Sequence, residues 1–209
     1  MPIRMPMRIG VAIPVFFLAL FTFTFALADT SGPGGGQAKV KAVYGKISDT
    51  PLLDQDGRRV RFKSDLIGDR IAVIIPFYTT CTTAYPILVY SFTRLQDLLG
   101  DRLGKKVVLI SITVDPATDI PIRLKAFARR QKAKPGWVFL TGEGSDLATA
   151  LVGVGILASS NLGSHDHTPF TVVGGVGREW KRYFGFPSPD FLLGQVNALL
   201  ASKPEIRSK

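Results

Sequence analysis

Cysteine is almost missing from this chain: Cys81 is the single one in 209 residues. No disulfide can form within these residues, and no internal dithiol–disulfide cycle can run. Methionine is confined to Met1, Met5 and Met7, which leaves Cys81 as the only soft sulfur ligand beyond the first seven positions. Histidine is nearly as scarce, with only His165 and His167. Acid is in short supply against base, 16 Asp and Glu against 26 Lys and Arg, for a net charge of +10. The basic residues are scattered, with small clusters at Arg58-Arg59, Lys105-Lys106 and Arg129-Arg130, which read as a solvated surface. With 46% apolar and 20% charged residues the composition is globular, so general disorder is excluded.

The amino terminus has the form of an export signal. Arg4 and Arg8 precede an apolar run from Ile9 to Ala26, and Ala26-Leu27-Ala28 offers small residues where a signal peptidase reads. Cleavage is expected after Ala28, an uncleaved membrane anchor being the alternative because the run is nearly long enough to span a bilayer. Either way the protein is expected to work outside the cytoplasm, on the periplasmic side. A basic exported domain is drawn to anionic membrane surfaces or acidic partners, and nucleic acid is not an expected one. Residues 29–39, with Ser31-Gly32-Pro33-Gly34-Gly35-Gly36, read as a flexible linker, residues 40–203 as the folded domain and 204–209 as a tail.

Within the domain, Leu52 to Phe62 predicts a hairpin, with Asp56-Gly57 supplying the positive φ angles of its turn. Asp65 to Gly68 predicts a helical turn. The continuously apolar, β-branched runs Ile71 to Phe77 and Val107 to Val114 predict central strands covered on both faces. Between them a helix is expected from Thr83 to Leu99, making a right-handed βαβ unit. Asp119 is expected to cap a helix running to Arg130, with Pro121 in its first turn, and Ser145 a helix to Leu151. Gly136 to Gly142 reads as a short strand, Gly153 to Gly163 as a loose connection. Phe170 to Val173 and Glu179 to Tyr183 should pair across a glycine-rich turn before a last helix from Pro189 to Leu200. This order predicts an α/β fold, a thioredoxin-like central mixed sheet flanked by helices with an N-terminal β-hairpin extension; the antiparallel pair near the end separates it from a flavodoxin-like sheet.

Cys81 falls where a buried strand hands over to a helix. Unpaired N–H groups and the helix dipole favour an anion there, lowering a thiol's pKa; the bland alternative is a small buried hydrophobe. The loop entering the strand at Phe170 should lie beside the loop leaving Phe77, bringing His165 and His167 to the same edge as Cys81. Side chains alternate along an extended segment, so one of the two histidines is expected to face the cysteine. Thiolate with imidazole suits Cu(I), and less selectively Zn(II). Pro169 is where a cis-proline is expected opposite the cysteine.

Phe77-Tyr78-Thr79-Thr80-Cys81-Thr82-Thr83-Ala84-Tyr85-Pro86, Val114 to Asp119, Gly136 to Gly142 and Asp166-His167-Thr168 resemble, in order, segments of the Sco/SenC family of thioredoxin-like copper-binding proteins that serve cytochrome c oxidase assembly. The likeness covers roughly residues 47–200. It implies copper as cofactor, Cu(I) in preference to Cu(II), and a cytochrome c oxidase subunit or copper-delivery protein as partner. In that family two cysteines of a Cys-x-x-x-Cys-Pro motif and a distant histidine bind the metal. Here Cys81 matches the first cysteine and His167 the histidine, while Tyr85 stands at the second cysteine with Pro86 still following. The metal ligands implied are therefore Cys81 and His167, with His165 and Tyr85 as lesser candidates. Tyrosine is a hard oxygen donor, mostly protonated at neutral pH. The expectation is thus an exported Sco-like accessory protein with a weakened copper site, more a chaperone than an enzyme. Two alternatives stay open: an interaction domain whose site has decayed, and a single-cysteine thiol redox enzyme. The latter lacks the Pro-x-x-x-Thr-x-x-Cys signature of peroxiredoxins, since Ile74 and Tyr78 occupy those positions.

Overall fold

Two stretches that read as buried strands are adjacent and parallel at the centre of one open sheet. The structure, a computed structural model, describes residues 40–43, 47–157 and 169–202, all within a unit spanning residues 34–209. The expected signal segment and linker lie outside the described residues. The strands are β1 (Val40–Val43), β2 (Pro51–Asp54), β3 (Arg59–Arg61), β4 (Ile71–Phe77), β5 (Val107–Thr113), β6 (Trp137–Thr141), β7 (Phe170–Gly175) and β8 (Trp180–Phe184). The helices are α1 (Tyr85–Leu99), α2 (Pro121–Arg130), α3 (Gly144–Gly153) and α4 (Pro189–Ala201). The sheet order is β1-β8-β7-β4-β5-β6-β2-β3. Strands β4, β5 and β6 are parallel, and β7 and β8 run antiparallel beside β4. This mixed sheet bears out the thioredoxin-like expectation.

Alternation along the strands explains the unbroken apolar runs. Ile71, Val73, Ile75 and Phe77 of β4 enter a core cluster shared with α1, α2 and α4. Ala72 and Ile74 face the other way, into a cluster with α3, Leu52, Phe62 and Ile67. A strand covered on both faces has no polar side to show. Helix α1 buries Tyr85, Leu88, Val89 and Phe92, the i, i+3, i+4, i+7 stripe of an amphipathic helix, which Leu95 and Leu99 continue.

The hairpin, the βαβ arrangement and α4 fall where the sequence put them. Five local features differ. Only Gly57 of the hairpin turn has positive φ (76°); Asp56 does not, because the Asp54 carboxylate accepts from the N–H groups of Asp56 and Arg58 and shapes the turn instead. The turn expected at Asp65 is wider, a π-helical stretch over Phe62–Ile67 ending at Gly68. Helix α1 starts at Tyr85, two residues later than expected, with Pro86 in a first turn where its missing N–H costs nothing. Ser145 does not cap α3: it lies inside the helix, and its carbonyl accepts from the Thr149 hydroxyl at 2.8 Å. Asp119 does not cap α2 either. The cap position is Ile120, and Asp119 is turned into the protein.

Candidate metal centre

The end of β4 opens onto the site. The ladder between β4 and β7 is in register from Ile71↔Gly175 to Ile74↔Val172 and stops two residues before Pro76, which has no N–H to donate. Beyond Phe77 the chain turns through Tyr78, Thr79 and Thr80, and the Cys81 N–H closes that turn on the Tyr78 carbonyl at 3.2 Å. Because β4 and β7 are antiparallel, the chain enters β7 at the edge where it leaves β4. Gly185, just past β8, donates to the Pro169 carbonyl at 2.7 Å and fixes that entry.

Cys81 is half-buried, a free thiol packed against the α1 side of the core. Its sulfur lies 3.7 Å from the Thr83 hydroxyl. Burial pushes the thiol pKa up, but the N–H groups of Thr83 and Tyr85 and the hydroxyls of Thr83 and Tyr78 outweigh it, and the result lies below the ordinary thiol value. The Tyr78 phenol moves the opposite way: its hydrogen bond with Cys81, then burial, then the charges of Cys81 and Asp115 push it up. The N–H and O–H donors around the sulfur, at and just before the start of α1, therefore favour the thiolate form.

Tyr85 is only 5% exposed and belongs to the core, its ring edge-on to Tyr78 with centroids 5.3 Å apart. Its backbone N–H is one of the groups facing the Cys81 sulfur. The structure thus brings Cys81, Tyr78, Thr83 and the head of α1 together. His165, Asp166, His167 and the Thr168–Pro169 bond lie outside the described residues. Among the described residues no three His, Cys, Asp or Glu side chains cluster as a metal site. For copper the described donor chemistry fits at one position, the soft sulfur of Cys81.

Two site residues escaped the sequence reading. Tyr78 signalled only as an aromatic beside the cysteine. Asp119 accepts hydrogen bonds from the Thr79 N–H at 3.1 Å, the Thr79 hydroxyl at 2.5 Å and the Thr113 hydroxyl at 2.7 Å. It sits 40 residues from Thr79 in sequence, and no local pattern marks that pairing.

Residues 46–188 match the SCO1/SenC family model. The chain belongs to the SCO1/SenC family. The SCO1 protein homolog of Bacillus subtilis is 32% identical over 110 residues, 52% of this Sco/SenC chain and 55% of that protein. The chain spans about half the length of the curated relatives it matches. Among solved structures, BsSco is a member of the Sco family of cytochrome c oxidase assembly proteins for which a disulfide switch is described. It superposes with a TM-score of 0.63 at 25% identity, over 78% of this chain and 98% of BsSco. Yeast Sco1 with copper bound gives a TM-score of 0.62 at 18% identity, over 79% of this chain and 99% of that one, which shows a shared fold. With one cysteine, this Sco/SenC chain has no internal counterpart to a disulfide switch.

Proposed function

We propose that this is a Sco-type copper-binding accessory protein of cytochrome c oxidase assembly, working outside the cytoplasm, that holds Cu(I) through Cys81 and His167. The observation that carries the reading is the Cys81 sulfur, half-buried, with its thiolate favoured by the N–H groups that start α1. That makes the thiolate, a soft donor, easier to form than from an ordinary thiol. In sequence His167 stands two residues before Pro169, and on this reading its imidazole supplies the second donor. The family membership and the copper held by yeast Sco1 support the choice of metal.

The site is weaker than a two-thiolate site, because the phenol at position 85 is a poor partner for a soft ion. The protein carries and presents copper; any disulfide chemistry at Cys81 would need a thiol from another molecule. Its partner on this reading is a cytochrome c oxidase subunit or a copper-delivery protein.

The deciding experiment is an anaerobic Cu(I) titration against a competing chelator. Wild type is expected to bind one equivalent, Cys81→Ala none, and His167→Ala with reduced affinity. If wild type and Cys81→Ala behave alike, the interaction-domain reading replaces this one.

A further inference from the structure

Asp119 is a carboxylate with 0% exposure that touches neither the sulfur nor any group assigned a role above. Burying a carboxylate is tolerable only where donors replace the water it loses. Here the donors come from two separate elements. The Thr79 N–H reaches both carboxylate oxygens, at 3.3 and 3.1 Å, and the Thr79 hydroxyl reaches one at 2.5 Å. The Thr113 hydroxyl at the end of β5 donates at 2.7 Å, and the Thr113 oxygen in turn accepts from the Asp115 N–H at 3.0 Å. The carboxylate therefore fixes the distance between the loop that follows β4 and the end of β5.

Thr79 lies inside the turn that the Cys81 N–H closes on Tyr78. A second bond joins the same two regions, from the Val114 N–H to the Phe77 carbonyl at 3.0 Å, but it ends before the turn begins. The bonds that Asp119 accepts from Thr113 and from Thr79 carry the link from the β5 end into the turn itself. The cap position of α2 is Ile120, and the Asp119 carboxylate bonds to Thr79 and Thr113 instead.

We propose that Asp119 is a positioning residue for Cys81: through Thr79 it holds the Tyr78–Cys81 turn so that the sulfur stays against the N–H groups of Thr83 and Tyr85. The inference deepens the reading of Cys81 as the working residue. It assigns a task to the second acid of the Asp115-to-Asp119 stretch without giving that acid any contact with metal.

The test uses the full chain, with amide hydrogen exchange followed residue by residue and Cu(I) competition on the same samples. In Asp119→Ala the amides of Thr79 and Cys81 are expected to exchange faster by about tenfold or more, the scale of a lost hydrogen bond to a charged group. Asp119→Asn keeps a carbonyl acceptor for the Thr79 N–H and is expected to fall between wild type and Asp119→Ala. Cu(I) affinity should decline in the same order. Leu147→Ala, a core change in α3 on the opposite face of the sheet, lowers global stability and is expected to leave the ratio of loop to core exchange unchanged. Wild-type exchange at Thr79 and Cys81 in folded Asp119→Ala, or an equal rise of the loop-to-core ratio in Leu147→Ala, overturns the proposal. Should Asp119→Ala fail to fold, Thr79→Val, which removes one hydroxyl from a half-buried loop residue, is expected to accelerate Cys81 exchange alone. Unchanged exchange there overturns it equally. If wild type binds no Cu(I), the functional reading fails while the exchange result still decides the role of Asp119.

Discussion

At position 85 the Tyr85 ring fills core beside Tyr78, which a second cysteine would leave empty. The backbone N–H that faces the Cys81 sulfur is there with either residue. Tyr85→Cys is therefore expected to raise Cu(I) affinity by adding a soft donor while lowering stability by roughly 2–4 kcal/mol through the cavity left behind. Chelator competition and urea unfolding read the two effects separately. Unchanged affinity would mean that a side chain at this position stays in the core and does not reach the metal. Cys81 itself was legible because an apolar run followed by a helical stripe marks a strand–helix junction in any sequence. Asp119 was misread because an acid before a proline is, locally, a good helix cap. Its three donors come from the loop after β4 and the end of β5, which meet only in the folded sheet.

At the scale of elements, periodicity did most of the work. Strands β4 and β5 and helices α1 and α4 each carry enough apolar residues in one register to declare themselves. Strand β1 did not: four residues pairing with β8, from Val40↔Tyr183 to Val43↔Trp180, have too little pattern to stand out. Its partner β8 also anchors α4. The Tyr183 hydroxyl donates to Gln195 Oε1 at 2.8 Å, and the ring meets Phe191 edge-on at 5.2 Å. Burial, with Glu179 nearby, pushes this phenol from 10.0 up to about 12. The folded protein thus keeps a proton that the unfolded chain gives up first. Stability from this group is complete below the unfolded value of 10.0 and is lost as pH rises toward about 12. Tyr183→Phe is expected to cost about 1 kcal/mol at neutral pH and to make the alkaline decline shallower than in wild type. Urea curves at about pH 8 and about pH 11 check both signs. A decline just as steep in Tyr183→Phe would mean that other groups cause it.

At the scale of the whole molecule, the described residues form two cores with one sheet between them. Trp137 lies in the cluster under α1, α2 and α4, stacked on Phe139 at 5.0 Å with its Nε1–H donating to Ser111 Oγ at 3.0 Å. Trp180 lies in the other cluster, over Gly174, where a Cβ would collide with its ring. Each face therefore carries its own fluorescent reporter. Since β4 sends alternate side chains into both clusters, neither face can lose its packing while the other keeps a native sheet to pack on. Trp137→Phe and Trp180→Phe are each expected to lose roughly 1–3 kcal/mol. Within each variant the remaining tryptophan's fluorescence and the far-ultraviolet circular dichroism should follow the same urea curve, the mark of a single cooperative transition. If the Trp180 signal moves at lower urea than the dichroism, the face with α3 opens by itself. The β7 entry beside Cys81 would then loosen before the fold does, because Phe170 and Val172 pack in that same cluster.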